Sequence, residues 1–109
     1  MSFSVKSIEV FEKQAKKLIK KYKSLKQELL AIISELKENP EKGISIGKNC
    51  YKIRVAIRAK GKGKSGDARI ITHFVVTADT VYLLSIYDKS DKETLSDKEI
   101  IELLTYITD

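Results

Sequence analysis

Residues 50–60 constrain the fold more than any other stretch, because they alternate strictly between two kinds of side chain. Tyr51, Ile53, Val55, Ile57 and Ala59 interleave with Cys50, Lys52, Arg54, Ala56, Arg58 and Lys60. A strand sends successive side chains to opposite faces. This period therefore predicts a strand with one apolar face and one face carrying a row of cations spaced about 7 Å apart. Such a strand needs neighbours that share its apolar side. Residues 69–77 and 81–87 read as two of them, joined by a turn at Ala78-Asp79-Thr80, which makes an antiparallel meander.

The flanking segments change period. Residues 2–8 read as a short opening strand. Phe11, Ala15, Leu18, Ile19 and Tyr22 then fall on one face of a helix. A second helix is expected to start at a capping box of Ser24 and Gln27 and to turn Leu25, Leu29, Ile32, Ile33 and Leu36 inward. It stops at Asn39-Pro40, because the residue before proline disfavours the helical region. At the other end, Ser96 and Glu99 form a second capping box, and Leu95 and Ile100 occupy the positions of a hydrophobic staple. The helix they open, about 97–107, offers Ile100, Leu103, Leu104 and Ile107 to the core. The order is β-α-α-β-β-β-α. An α+β fold follows: an N-terminal strand and αα-hairpin packed on a small antiparallel sheet, with a C-terminal helix. The helices are expected on one sheet face, leaving the other partly open and basic. A chain of 109 residues fits one domain over 1–109.

The net charge of +6 is unevenly spread. Residues 48–69 hold eight Lys and Arg against Asp67 alone, and residues 11–26 hold seven Lys against Glu12. Residues 88–109 are acidic, with seven carboxylates against three lysines. One strongly cationic zone points to a polyanionic partner, most often nucleic acid. A single cysteine excludes an internal disulfide and a cysteine metal cluster, and neither a metal nor a cofactor is expected. No apolar run approaches the roughly 18 residues of a membrane span, and no apolar signal region opens the chain. A cytoplasmic protein without membrane contact fits.

Gly63-Lys64-Ser65 has the look of a nucleotide-binding loop but lacks its context. The first glycine of a P-loop would fall at Arg58, and a strand follows where a helix is required. The glycines at 61, 63 and 66 instead suit a hairpin loop whose Lys62 and Lys64 reach phosphates, flanked by Arg58 and Lys60. His73 is the only histidine, the side chain type that titrates near neutral pH. It shares a strand face with Arg69 by alternation, and reads either as an acid–base group or as a satisfied sheet histidine. Cys50 has no partner nearby in sequence and reads as a small buried or edge residue. Tyr51, Tyr82 and Tyr87 either stack on bases or fill the core.

Three segments taken in order carry a resemblance. They are Tyr51-Lys52-Ile53-Arg54, the run Gly61-Lys62-Gly63-Lys64-Ser65-Gly66 leading to Arg69, and Leu83-Leu84-Ser85-Ile86-Tyr87-Asp88-Lys89. Together they resemble the RelE/ParE toxin superfamily of type II toxin–antitoxin systems, and in particular its HigB-like branch. The resemblance implies a small sheet with an N-terminal αα-hairpin and an mRNA interferase that works in the ribosomal A site. It also implies a cognate antitoxin, encoded in the adjacent gene and carrying a helix-turn-helix domain. By position, Lys52 and Arg54 match the family's basic strand residues, Arg69 its arginine after the glycine loop, and Lys89 its basic residue after the last strand. The family's tyrosine beyond that strand is not matched: the aligned region has Leu95, and Tyr87 is the nearest tyrosine. Some superfamily members inhibit gyrase, so the alternative is a ParE-like toxin or a non-catalytic basic module acting by occupancy.

The chemistry such a site must perform follows from RNA itself, whose 2′-OH is a built-in nucleophile. The enzyme takes that proton, stabilises charge on the phosphate oxygens and protonates the leaving 5′-oxygen. Under the resemblance, Lys52 or His73 is the expected base, Arg54 and Arg69 the phosphate stabilisers, and Lys89 an acid or clamp. Arg58, Lys60, Lys62, Lys64 and Tyr87 are then expected to hold RNA.

Overall fold

The computed structural model describes residues 2–57, 67–92 and 94–107. Strand β1 (Ser4–Ser7) leads into helices α1 (Glu9–Lys21) and α2 (Leu25–Glu38). Strands β2 (Ile44–Gly47), β3 (Cys50–Ala56), β4 (Asp67–Val75) and β5 (Thr80–Asp88) follow, and helix α3 (Asp97–Leu104) closes the order. The five strands form one sheet in the order β1-β5-β4-β3-β2. The α+β class and the three helices agree with the sequence reading.

Three features differ from it. The sheet is mixed, because β1 runs parallel to β5 while the other pairs are antiparallel. The connection that this parallel pair requires runs through the αα-hairpin and strands β2, β3 and β4.

The second difference is β2, an extra strand only four residues long. A two-residue loop joins it to β3, with Lys48 and Asn49 both at positive φ (56° and 57°). That is the geometry of a type I′ hairpin, which matches the twist of paired strands.

The third difference concerns the helices, which are not all on one face. The side chain of Tyr22 at the end of α1 donates to Asp88, and the apolar residues of α1 and α2 join Ile53, Val55, Ile70 and Ile86 in the core. The segment before α3 instead reaches Lys52, on the opposite face. Ile100 on α3 is buried, so α3 covers part of the face expected to be open.

Local details follow from geometry. The Ser96–Glu99 capping box forms in both directions. That at Ser24 does not, and the Ser24 hydroxyl is buried without a hydrogen-bond partner among the described residues. The short link between α1 and α2 holds Ser24 at φ −66°, ψ −17°, already helical, whereas a capping side chain needs extended backbone to reach forward.

In the β4–β5 pairing Ile71 faces Ser85 and Thr72 faces Leu83, so Leu84 is an extra residue bulged from β5 while β4 keeps its alternation against β3. Ile70, Ile71 and Thr72 are all buried because both faces of β4 are covered there. Beyond Ser7, β5 loses its neighbour β1. There Gln14 of α1 takes over: its Oε1 accepts from Ile86 N and Ser85 Oγ, both at 3.0 Å. Among the described residues, no helix is long and apolar enough to cross a membrane.

Candidate functional site

Strand register decides which cations meet. Arg54 lies opposite Arg69, Lys52 opposite Ile71, and Cys50 opposite His73. Arg69 in turn lies opposite Tyr87 on β5. Directly paired residues share a face, so Lys52, Arg54, Arg69, His73 and Tyr87 all belong to one side of the sheet.

They do not share one environment. The Arg54 side chain is 74% exposed, while that of Arg69 is only 13% exposed. Lys52 is half-buried, and its Nζ donates to Thr94 Oγ1 at 3.3 Å. The reason is the placement of α3 and the segment before it, which cover the β4–β5 side of the face and leave the β3 side accessible.

Asp67 organises the two arginines. Arg54 Nε donates to Asp67 Oδ2, and Arg69 Nη1 stands 3.9 Å from the same oxygen while donating to Ala68 O at 3.2 Å. The backbone N–H of Lys89 donates to Asp67 O at 3.0 Å, which places exposed Lys89 at the same end of the sheet. His73 is at the other end. Four residues along β4 separate it from Arg69, about 13 Å at the rise of a strand. Lys52, Arg54 and Arg69 thus lie within two register positions of one another, with Lys89 at the Asp67 end of the face and His73 at the other. Arg58, Lys60, Lys62 and Lys64 lie outside the described residues.

Tyr87 does not lie where a base could stack on it. Its ring is buried, and its hydroxyl is enclosed without a hydrogen bond of ordinary geometry. Burial raises the phenol above its usual value, against the opposing pull of Arg69, Thr94 and Lys92. A phenol so held is a poor proton acceptor. Tyr82 is buried as well, and half-buried Tyr51 spends its hydroxyl on Glu41 at 3.0 Å.

Cys50 has a neighbour that the linear sequence hid. Its Sγ is 3.5 Å from His73 Nδ1, because β3 and β4 set the two residues opposite each other. The pair is not an activated nucleophile: burial pushes the thiol up to about 11, and Cys50 has no accessible surface.

Lys92 and Glu99 tether α3 beside this site, with Nζ 2.6 Å from Oε2. The Lys92 hydrogen bond first, and then the Ser96 backbone N–H, lower the Glu99 carboxyl from an ordinary 4.5 to about 2. A depressed carboxylate contributes stability in full above its unfolded value, and loses it as pH falls through the folded one. The start of α3 should therefore hold at pH 5 and loosen between about pH 4.5 and 2. A carboxyl NMR titration of Glu99, with α3 amide shifts recorded in parallel, checks this. A midpoint near 4.5 would refute the tether, and Glu99→Gln should flatten the amide response.

Two residues of this site escaped the sequence reading. Asp67 stood out only as the lone acid in a basic segment, although period-2 spacing from Arg69 already put it on the same face. Thr94 carried no signal, because its contact with Lys52 spans 42 residues.

A small mixed sheet with an N-terminal αα-hairpin and a cationic face defines a class of compact α+β proteins. The family model described as RelE toxin of the RelE/RelB toxin–antitoxin system matches residues 8–108. The chain belongs to this family. Among solved structures, it is similar to a double arginine-to-alanine mutant of E. coli toxin RelE in the free state. That match has a TM-score of 0.61 at 18% identity, and it covers 99% of this chain and 100% of that one.

Proposed function

We propose that the chain, taken over residues 1–109 as one toxin domain, is a ribosome-dependent mRNA endoribonuclease of the HigB-like branch. In this reading the cognate antitoxin is a helix-turn-helix protein from the adjacent gene, and toxin, ribosome and message meet in the cytoplasm. The observation that carries the proposal is the cross-strand pair Arg54–Arg69 with Lys52 one pleat away, on a sheet face still accessible along β3.

Arg54 is the phosphate stabiliser, because its guanidinium is exposed and always charged. Arg69, largely covered, adds charge from behind it. Lys52 takes the 2′-OH proton after its amine leaves Thr94, and Lys89 supplies the leaving 5′-oxygen with a proton or clamps the next phosphate. His73, at the other end of the face and beside Cys50, is given no part in this mechanism. The reaction needs no electrons: the 2′-oxygen bonds to phosphorus, the bond to the 5′-oxygen breaks, and one proton moves from the former to the latter.

Translating ribosomes incubated with the chain should yield messages cut within codons and ending in 2′,3′-cyclic phosphate. Stalled ribosomes carrying intact message would replace this reading with inhibition by occupancy.

A further inference from the structure

We infer that Asp67 is a positioning residue for RNA cleavage: it holds Arg54 by its inner nitrogen so that the outer edge of the guanidinium faces solvent. The inference rests on the nuclease reading above and adds a residue that reading does not use.

The geometry has three parts. First, Asp67 meets Arg54 through Nε alone. A guanidinium donates along two edges, and the edge built from Nη1 and Nη2 is the one that grips phosphate with two parallel hydrogen bonds. Among the described residues, nothing accepts from the Nη groups of Arg54.

Second, Asp67 is the register partner of Ala56, whose methyl leaves room for the carboxylate to lean toward Arg54 two residues away. Third, the same oxygen that binds Arg54 stands 3.9 Å from Arg69 Nη1. One carboxylate thus offsets the repulsion of two guanidiniums that the strand register sets face to face. Without it, Arg54 would be a long exposed side chain free to rotate and pushed outward by Arg69.

The arrangement has two opposite consequences. Asp67 weakens RNA attraction, since a negative charge sits beside the phosphate site. It also speeds the reaction, since a fixed donor needs no reordering when charge develops on the phosphate. A carboxylate that merely supported the fold would not separate the two effects.

The test compares wild type, Asp67→Asn and Asp67→Glu. Cleavage is measured at saturating toxin on ribosomes programmed with a defined message. Binding is measured with a fluorescein-labelled single-stranded RNA oligonucleotide at several salt concentrations. Asp67→Asn is expected to bind RNA several-fold more tightly, with a steeper salt dependence. Its cleavage should slow by roughly 10- to 100-fold, as expected when a reacting group is misplaced. Asp67→Glu, which keeps the charge, should recover most of the rate and lose the tighter binding.

Wild-type cleavage by Asp67→Asn would overturn the inference, and so would loss of cleavage and binding in equal proportion. A wild-type chain that leaves message uncut would overturn the nuclease reading and the inference with it. The binding arm separates the two failures, because charge repulsion at Asp67 is read there without any cleavage.

Discussion

Arg54→Ala is expected to lower the rate of message cleavage on programmed ribosomes by roughly 10²- to 10³-fold, the usual loss when one preorganised donor to a developing oxyanion is removed. The fold should survive the change. Arg54 is exposed, it packs into no core, and its partner among the described residues, Asp67, keeps Arg69 within 3.9 Å. Thermal unfolding within a few degrees of wild type, together with near-complete loss of cleavage, is the combined outcome that supports a catalytic role. Undiminished cleavage would remove Arg54 from the chemistry and transfer the burden to the largely covered Arg69. Arg54→Lys is informative beside it: it keeps a cation but loses both the Nε bond to Asp67 and the two-pronged grip, so most of the loss should persist.

Gly43→Ala should produce the largest change in stability, about 3–5 kcal/mol in urea unfolding, within the range reserved for specific steric causes. Gly43 has φ +105°, a region closed to residues with a side chain. A methyl there would stand 2.5 Å from the carbonyl oxygen of Lys52 and 2.9 Å from an Ile53 side-chain atom. The nearest obstacle is backbone, which cannot rotate away. Relief requires the entry to β2 to swing off β3 or the Lys52 peptide to shift, so the substitution couples stability to the site. Cleavage should fall along with the midpoint of unfolding. A loss below about 1 kcal/mol would show that the chain before β2 is not held against β3 as described.

How much of this was legible in the sequence varies by element. The period of residues 50–57 was enough for β3 and for the face shared by Lys52 and Arg54, since a strand with one buried side tolerates no slip of register. The Ser96–Glu99 capping box was equally readable, because both partners lie within one turn. Ser24 misled for the opposite reason: its partners were present, but the neighbouring helix imposed a backbone that the motif does not permit.

Strand β2 was missed because four residues carry too little pattern, although Gly47-Lys48-Asn49 is a stretch suited to positive φ. The covering of Arg69 and Tyr87 had no local signature at all. It depends on where α3 lands, and that is set by contacts between residues far apart in the chain. The alternation correctly paired Arg69 with His73 on one face but did not show how far apart that leaves them, nor that Cys50 would face the imidazole.

The Gln14 side chain has one more implication. Its amide oxygen takes up the free donors of β5 where β1 ends, so the stretch of β5 past β1 is covered by the chain's own helix. Among the described residues, the flank along β2, beginning at well-exposed Ile44, carries no comparable cover. The outer strands of the sheet, β1 and β2, are both only four residues long, which leaves little edge for another extended segment to pair with.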